Sequence, residues 1–422
     1  MKKVCVIGLG YIGIPTAVIA AQAGYDVLGL DIDEEKVQRI NNQDPVIDEV
    51  DLSHRLKEVV LKGTFKASMK IESSDCFIIC VPTPITKNKT ADLSFVFSAA
   101  EEVAKVVKKG DLILLESTVP VGTTRRLKKF IFENSGVKDF LIAFCPERVL
   151  PGKIVFEVVH NDRLVGGIDD RSSEAGKNFY AKFVKGNISC TDDKTAEMTK
   201  LVENSYRDVN IAFAHQIAAQ AESEGLDPYQ LIELANKHPR VNILKPTIGV
   251  GGHCISVDPW FLAETFPGDS GLLVSARKIN DQRPFQIINK INKILFPILS
   301  SNLNVAVFGL SYKPDVGDIR ESPAMFIAEQ LKMYNVNLMI VDPHISKNLV
   351  ETKFPLAEFC TIEKAIKEAD VLIGLVAHSV FKSISQEKLK NKLVLDFCQG
   401  FNDVLKEDQF VVVKEKNEAS LS

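Results

Sequence analysis

The 422-residue sequence has little of what builds a metal centre. Its eight cysteines are dispersed, and none forms a CxxC pair or a His/Cys group at zinc-ligand spacing, so we expect no metal site. Cysteines such as Cys5 and Cys80 lie in apolar, strand-like runs, which is typical of small buried side chains.

The chain also lacks a large excess of charge and any long apolar run. Its formal net charge of -4 gives no basic field that would attract nucleic acid, so local groups must hold any anionic ligand. No apolar run approaches the roughly 20 residues that span a bilayer. The N-terminus enters a strand-like run at once, without the three-part pattern of a signal peptide. We expect a cytoplasmic protein with neither nucleic acid nor membrane as a partner.

The chain is longer than a domain with one hydrophobic core normally is. The pattern of apolar residues divides it into three segments. Residues 1–190 alternate short apolar runs with amphipathic stretches, which is typical of a parallel sheet with helices on both faces. The apolar runs are 4–7, 27–30, 76–81, 112–115 and 141–144.

The middle segment opens with a long helical pattern. From Thr195 to about Leu234, apolar residues recur at spacings of three and four. After residue 300 the first pattern returns, and NVAVFGL at 304–310 echoes KVCVIGL at 3–9. We therefore predict an α/β protein with two Rossmann-like doubly wound domains, residues 1–190 and 301–422, joined by a central helical segment, residues 191–300.

One loop carries a dinucleotide-binding signature. Gly8-Leu-Gly-Tyr-Ile-Gly13 follows the first strand and opens a helix, and Asp31 closes the next strand 18 residues after Gly13. The glycines let the backbone reach a pyrophosphate, and the acid can accept hydrogen bonds from ribose hydroxyls. Because an acid there repels a 2′-phosphate, we predict NAD rather than NADP. A tight structural turn followed by a surface aspartate is the alternative.

Three polar loops follow later strands, at the edge where such sheets bind ligands. The threonines of VPTP (81–84) and ESTVPVGTT (116–124) either contact the cofactor or cap helices. In CPERVLPG (145–152), Glu147 and Arg148 reach the same rim, where a surface ion pair is the alternative reading.

The central helix aligns three polar residues, Lys200, Asn204 and Arg207, on one face. A solvated stripe is the ordinary explanation of such spacing. However, asparagine is a poor helix former, and apolar neighbours indicate partial burial. A buried lysine can have a lowered pKa and exchange protons.

The stretch Gly249-Val-Gly-Gly-His-Cys254 places a cysteine among glycines, which leave the backbone bare for a close approach. In a protein that binds NAD, such a cysteine can attack an aldehyde to form a thiohemiacetal, which loses hydride to give a thioester. An inert core cysteine is the alternative, and it suits the other seven cysteines better.

Eight stretches, some of them described above, occur in one order along the chain: GLGYIGIP, VPTP, STVPVGTT, CPERVLPG, KLVENSYRDVNIAFA, KHPRVN, GVGGHCISVDPWF and GLSYKPDVGDIRESPA. Together they resemble the UDP-glucose/GDP-mannose dehydrogenase family over essentially the whole chain. Within the family, CPERVLPG, YRDVNIA, KHPRVN and GGHC followed by DPWF are most similar to the members that act on UDP-N-acetyl-D-mannosamine, and next to those that act on UDP-N-acetylglucosamine.

The resemblance implies a four-electron oxidation of the sugar C6 alcohol to a carboxylate, in two steps that consume two NAD and one water, for surface polysaccharide synthesis. It implies that Cys254 is the nucleophile and that Lys200 is the general acid/base and the cation opposite the developing oxyanion. Asn204 would share the oxyanion role, and Glu147 and Asp258 would manage protons and the hydrolytic water.

The resemblance also implies binding contacts. Residues 1–190 would bind NAD through Gly8, Gly10, Tyr11, Ile12, Gly13, Asp31, Lys36 and Thr83, together with Thr118 and the later Arg320. The UDP-activated amino sugar would contact Arg148, Val149, Lys200, Asn204, Arg207, His238, Arg240, Gly251, Tyr312 and Lys313. Residues 301–422 would form the UDP-sugar domain. Because Arg240 in relatives can reach a neighbouring subunit, a homodimer or larger assembly through the central segment is expected.

The sequence departs from the family at one place. Members commonly have a basic residue in the loop after a late strand, whereas this chain reads Asp396-Phe-Cys-Gln-Gly400, with Cys398 in that place. The departure leaves UDP-N-acetylglucosamine and UDP-glucose open as substrates. A non-catalytic NAD-binding redox sensor, in which Cys254 is merely oxidised, is a further alternative.

Overall fold

The computed structural model describes residues 1–44, 46–47, 49, 51–150, 152–299 and 303–401. The chain begins with β1 (Lys3–Ile7), α1 (Gly13–Gln22), β2 (Asp26–Leu30), α2 (Glu34–Asn41), α3 (Leu52–Leu61), β3 (Phe65–Ser68), β4 (Cys76–Ile79), α4 (Ser94–Ala104), β5 (Leu112–Leu115), α5 (Thr123–Ser135), β6 (Leu141–Phe144), α6 (Ile154–His160), β7 (Arg163–Gly167), α7 (Asp170–Tyr180) and β8 (Ile188–Asp192). It continues with α8 (Asp193–Ser223), α9 (Pro228–Ala235), α10 (Asp258–Thr265) and α11 (Gly271–Leu295). It then forms β9 (Asn304–Phe308), α12 (Pro323–Leu331), β10 (Asn337–Val341), α13 (Lys347–Lys353), β11 (Glu358–Phe359), α14 (Ile362–Glu368), β12 (Val371–Gly374), α15 (Gln386–Leu389) and β13 (Leu393–Asp396).

The chain folds into two compact units, of which the first comprises Met1–Asn204 and Val257–Ser270. Its sheet has eight strands in the order β3-β2-β1-β4-β5-β6-β7-β8. Neighbouring strands are parallel except β6 and β7, which pair antiparallel. Alternate residues of β1 enter opposite cores: Val4 and Val6 pack in one, and Cys5 and Ile7 in the other. Both faces of the sheet are therefore covered, as parallel strands require.

The second unit comprises Ser205–Ser256 and Gly271–Ser422, and it repeats the architecture on a smaller scale. Its sheet has five parallel strands in the order β11-β10-β9-β12-β13. Along β9, Val305 and Val307 enter one core while Ala306 and Phe308 enter the other. The carboxyl ends of β9, β12 and β13 therefore lie side by side, which is where open parallel sheets bind ligands.

The predicted fold class is confirmed: the chain has an N-terminal, mostly parallel sheet, a central helical segment and a C-terminal parallel sheet. All five apolar runs of the first segment form strands, whereas β3, β7 and β8 were not predicted. In β8 no residue is buried, so this strand lacks the apolar run that marks the others. The long helical pattern is two helices, because the chain turns at Gly225, whose φ is 70°.

The boundaries predicted at residues 190 and 300 stay predictions. The compact units divide the predicted central segment, since the first part of α8 and all of α10 belong to the first unit. Residues 402–422 of the predicted third domain lie outside the described residues. Among the described residues, no helix combines the length and the apolar character that a membrane crossing requires.

Candidate active site

The glycine-rich loop between β1 and α1 is shaped for a close backbone approach to a ligand. Gly8 has a φ of 92°, and a Cβ at Gly13 would lie 1.8 Å from the Gly8 carbonyl oxygen, so both positions require glycine. A Cβ at Gly10 would meet no atom within 4 Å, which leaves the loop open on that side. No side chain caps the N-terminus of α1, whose dipole favours an anion. These features fit the pyrophosphate of a dinucleotide.

Asp31 lies at the end of β2 with its carboxylate held in place. One carboxylate oxygen accepts from the main-chain N–H of Leu9 at 2.8 Å and pairs with the Lys36 ammonium group at 3.0 Å, and the other accepts from the N–H of Asp33 at 3.0 Å. The structure thus brings two predicted cofactor residues, Asp31 and Lys36, together. The orientation of the Asp31 carboxylate fits a hydrogen bond from a ribose hydroxyl. Lys36 pairs with this carboxylate.

The next two loops are fixed to each other and to α8. The Ser117 hydroxyl donates to the Val81 carbonyl at 2.7 Å, which joins the loops that carry Thr83 and Thr118, and both threonines are half-buried. Buried Glu197 of α8 accepts from the N–H groups of Gly122 and Thr124. Glu197 therefore caps α5, and that end of the helix is engaged within the protein.

Lys200 lies almost buried on α8, and its amine donates to the main-chain carbonyl of Glu147 at 2.7 Å. The Glu147 carboxylate points elsewhere: it accepts from the Arg163 guanidinium at 2.6 Å and from the Arg148 N–H at 2.7 Å. The predicted catalytic residues Lys200 and Glu147 are thus neighbours through the main chain. The Glu147 carboxylate is engaged with arginine.

One turn further along α8, the Asn204 side-chain amide donates to the Asp258 carboxylate at 2.5 Å. Asp258 opens α10 and is 2% exposed. Burial raises the pKa of Asp258 to about 6, and the nearby Lys200 charge and the hydrogen bond from Asn204 oppose that rise. The first unit therefore brings together a lysine, an amide and a carboxyl group suited to exchange protons near neutrality.

Arg148 and Val149 lie beside this group. The Arg148 guanidinium pairs with Glu203 of α8 at 2.6 Å, and both side chains are partly exposed. Val149 packs on a small cluster formed by Ile19, Ile154 and Val158. The predicted alternative for Arg148, an ion pair, is thus present, but with Glu203 as the partner.

Cys254 belongs to the second unit, where its side chain is exposed while its loop packs against the segment after β9. The N–H of Gly252 donates to the Arg320 carbonyl at 3.1 Å. A Cβ at Gly251 would lie 2.5 Å from the Glu321 carbonyl oxygen and 2.8 Å from the Tyr312 Cβ. The bare backbone at Gly251 is therefore used by the protein itself, which seats the cysteine loop on the loop that carries Tyr312.

The other predicted residues of the second unit are less closely grouped. Half-buried Lys313 lies 5.8 Å from the centre of the Tyr312 ring, and the Arg320 guanidinium pairs with Asp318 at 2.5 Å. The side chains of Arg207, His238 and Arg240 are exposed, and the main-chain N–H of Arg240 donates to the His238 ring at 3.3 Å.

The loop that departs from the family pattern is held by its own aspartate. The Asp396 carboxylate accepts from the N–H groups of Cys398, Gly400 and Phe401, and burial raises the pKa of Cys398 well above its usual value. The ammonium group of Lys245 donates to the Gln399 side chain at 3.1 Å. A cation from another segment thus reaches this loop, a contact that no local pattern around Lys245 predicts.

Cys190 and one group of possible metal ligands differ from the pattern expected of the cysteines and histidines. The prediction that the seven cysteines other than Cys254 are buried core residues is wrong for Cys190, which is exposed in β8. In the described part of the chain, Asp315, His344 and His378 form a group whose spacing would suit a metal ion. However, His378 accepts from the Asp315 N–H at 2.9 Å and lies 3.3 Å from Asp342 through its other nitrogen, so hydrogen bonds account for this group.

Comparison with known proteins matches three domains in order. Residues 2–184 match the NAD binding domain of the UDP-glucose/GDP-mannose dehydrogenase family, residues 194–282 its central domain and residues 306–403 its UDP binding domain. The chain belongs to this family. It is therefore an NAD-dependent nucleotide-sugar dehydrogenase, and the alternative of a non-catalytic sensor finds no support.

Individual relatives agree with this assignment. A UDP-N-acetyl-D-mannosamine dehydrogenase from Methanococcus aeolicus is 43% identical, over 98% of this chain and 95% of the relative. An NDP-N-acetyl-D-galactosaminuronic acid dehydrogenase from Ralstonia nicotianae is 39% identical, over 94% of this chain and 95% of the relative. The solved structure of a UDP-D-ManNAc dehydrogenase from Pyrococcus horikoshii is 37% identical with a TM-score of 0.87, and 96% of each chain is covered.

Several residues of the site were missed by sequence reasoning. Glu116, Arg163 and Glu197 are buried charged residues whose partners are distant in the chain. The only local signal is a charged residue at the edge of an apolar strand, as Glu116 is after β5 and Arg163 is in β7. Lys245 carries no such signal.

Proposed function

We propose that this enzyme oxidises the C6 alcohol of UDP-N-acetyl-D-mannosamine to the carboxylate, for surface polysaccharide synthesis. In the overall reaction the alcohol, two NAD⁺ and one water give the carboxylate, two NADH and three protons. When bound, NAD would supply the hydride acceptor for both oxidation steps. The observation that carries the proposal is the group of Lys200, Asn204 and Asp258 in the first unit, in a chain that also has Cys254 on a glycine loop.

In the first step the Lys200 amine takes the hydroxyl proton while C6 loses hydride, which yields the aldehyde. Asn204 and Lys200 stabilise the negative charge that develops on the oxygen, because both are hydrogen-bond donors in a buried position. The Cys254 thiol then adds to the aldehyde carbon, and its proton passes to the aldehyde oxygen, which gives the thiohemiacetal. The thiohemiacetal loses a second hydride from C6 and releases its hydroxyl proton to solvent, which gives the thioester.

Water then attacks the thioester, the C–S bond breaks and the thiolate leaves. Family resemblance implies proton handling by Glu147 and Asp258. Asp258 is the better suited of the two, because a carboxyl group with a pKa near 6 can take a proton from water at neutral pH. The Glu147 carboxylate is held by Arg163 and the Arg148 N–H.

The cofactor and nucleotide-sugar contacts implied by the family stay part of the proposal. Gly8, Gly10 and Gly13 would receive the pyrophosphate of NAD, and Asp31 would accept hydrogen bonds from its ribose hydroxyls. For the UDP-sugar, Lys313 and Lys245 supply positive charge near the carboxyl ends of β9 and β13, where a diphosphate needs cations. Lys245 offers the charge that the loop at Cys398 lacks.

The choice of sugar is supported by the relative from Methanococcus aeolicus, at 43% identity over nearly the whole chain. The relative from Ralstonia nicotianae makes a galactosamine sugar a competing substrate class. Initial rates of the purified enzyme on UDP-N-acetylmannosamine, UDP-N-acetylglucosamine, UDP-N-acetylgalactosamine and UDP-glucose separate these alternatives. We expect the first to be oxidised with the highest kcat/KM, and a higher value for any other sugar rejects the assignment.

We further propose that the enzyme is a homodimer through α8. Met198, Val202, Tyr206 and Phe213 are exposed at helical spacing along this helix, and Tyr206 is 70% exposed. An aromatic and apolar stripe of this kind favours burial against a second copy. Light scattering should give twice the chain mass for the wild type and for Gln216→Asp, whose side chain is exposed on the same helix, and one chain mass for Tyr206→Asp with Phe213→Asp. A monomeric wild type rejects the proposal.

A further inference from the structure

Arg163 is a buried arginine that bridges two acids in the first unit. It is 4% exposed, and its guanidinium donates to Glu147 at 2.6 Å and to Glu116 at 2.7 Å. The guanidinium carbon lies 4.4 Å from the centre of the Tyr180 ring. Arginine suits this place because its planar fork can serve two carboxylates at once.

The antiparallel pairing of β6 and β7 explains why Arg163 meets Glu147. Ala143 lies opposite Gly167 and Phe144 opposite Gly166. Continuing this register by three residues, from 144 to 147 and from 166 to 163, brings Glu147 opposite Arg163. The one antiparallel strand pair of the described sheet therefore delivers a cation to the loop that follows β6.

The orientation of Glu147 has a consequence for Lys200. Both carboxylate oxygens of Glu147 are engaged, one by Arg163 and the other by the Arg148 N–H. The main-chain carbonyl of the same residue accepts from the Lys200 amine at 2.7 Å. The loop cannot turn without breaking the buried ion pair, so the carbonyl stays directed at the lysine.

We propose that Arg163 is a positioning residue for Lys200, which it holds through Glu147. The inference rests on the proposed role of Lys200 in the oxidation. In this proposal the main-chain carbonyl of Glu147 holds the Lys200 amine, and the Glu147 carboxylate anchors the loop to Arg163. Arg163 touches neither substrate nor cofactor in this account, and its effect on turnover is indirect.

Six charged or titratable groups from five segments lie around the arginine and its partners. They are Glu116 after β5, Glu147 and Cys145 after β6, Cys80 after β4, Tyr180 in α7 and Lys200 in α8. Glu116 also accepts from the Tyr180 hydroxyl at 2.6 Å and from the Cys80 thiol at 3.3 Å. Burial raises the pKa of Glu116 and the Arg163 charge opposes that rise, so removal of the arginine strengthens the preference of Glu116 for its protonated form.

The test measures the accessibility of the Lys200 amine directly. The wild type, Arg163→Gln and Arg163→Lys are labelled with an amine-reactive anhydride, and the rate at Lys200 is compared by mass spectrometry with the rate at exposed Lys194 on the same helix. We expect Lys200 to react at least about 10-fold faster in Arg163→Gln, with an intermediate rate in Arg163→Lys and no change at Lys194. In the same variant, kcat should fall about 100-fold with KM for the nucleotide sugar nearly unchanged, because misplacement of a reacting group has that order of effect.

Arg171→Gln is the matched control, because Arg171 is exposed and pairs with a surface aspartate. It should leave labelling and turnover as in the wild type. If neither Arg163 variant folds, Glu147→Ala removes the anchor from the other side and should release Lys200 in the same way. A folded variant with wild-type labelling of Lys200 overturns the inference. If the labelling rates of the wild type and the variants are as expected but the wild type does not oxidise the sugar, the proposed function is rejected and the positioning of Lys200 by Arg163 stands.

Discussion

The side-chain amide of Asn204 donates to the carboxylate of Asp258 across 2.5 Å, although the two residues are 54 positions apart in the chain. Asn204 lies on a long helix, and Asp258 opens a short helix four residues after Cys254. The carboxyl group is thereby fixed on the same face of α8 as Lys200. This relationship joins two separate sequence motifs into the group to which we assign proton exchange.

Replacement of Cys254, the proposed nucleophile, should stop turnover without loss of the cofactor. In Cys254→Ala the covalent intermediate cannot form, so we expect kcat to fall about 1,000-fold or more while NAD binding, measured by calorimetry, changes less than about 2-fold. Cys190→Ala is the control, since Cys190 is also exposed but lies in β8. Loss of NAD binding in Cys254→Ala would identify a structural cysteine instead.

Replacement of Lys200 should affect the chemical step more than binding. Lys200→Ala removes both a proton acceptor and a cation near the developing oxyanion, so kcat should fall about 100- to 1,000-fold. The Kd of the nucleotide sugar, measured by calorimetry, should rise less than about 10-fold. Lys194→Ala tests whether any lysine on this helix has the same effect. Equal losses in kcat and binding would contradict a catalytic role.

The pH dependence of turnover should report Asp258. Burial raises its pKa from 3.8 to about 6, and the ionised carboxyl is the form that accepts a proton, so kcat should rise with pH through about 6. The folded chain binds this proton more tightly than the unfolded chain. Stability contributed by Asp258 is therefore complete below about pH 4 and is lost as pH rises towards 6.

Asp258→Asn checks both consequences of that shift. The variant should lose the acidic limb of the pH profile together with most turnover. Its free energy of unfolding above pH 6 should exceed that of the wild type by up to about 3 kcal/mol, because it no longer buries a carboxylate. Urea unfolding at pH 4 and pH 7 measures the difference. A wild-type profile that is flat between pH 5 and pH 7 would be inconsistent with this role.

Lys245 should recognise the diphosphate of the nucleotide. Lys245→Gln removes the cation beside Gln399, so the Kd for UDP should rise about 10-fold while that for uridine stays the same. The added substitution Cys398→Arg restores a base to the loop and should recover affinity for UDP. Equal weakening for UDP and uridine would mean that Lys245 only supports the fold.

Much of the fold and part of the site could be read from the sequence, for physical reasons that particular residues illustrate. Strands buried on both faces are continuous apolar runs, so β1, β2, β4, β5 and β6 were visible, whereas exposed β8 was not. The spacing of Lys200 and Asn204 revealed one helix face. The NAD-binding assignment of the first segment is confirmed by its family match.

What could not be predicted depends on contacts between residues far apart in the chain. The ion pairs of Arg163 join residues 16 and 47 positions away, across a strand pair whose antiparallel direction leaves no trace in a local pattern. The direction of the Glu147 side chain follows from those pairs. The glycines around Cys254 suggested an open approach, but Gly251 is required because the Tyr312 loop packs against it.

The most direct test of the account is the amount of NADH formed per nucleotide sugar consumed. The purified enzyme is given a limiting quantity of UDP-N-acetylmannosamine with excess NAD, and NADH is followed by absorbance while the sugar products are resolved by mass spectrometry. A four-electron oxidation that passes through Cys254 predicts two NADH per sugar and a uronate as the product. One NADH per sugar, with an aldehyde or a ketone as the product, would contradict it.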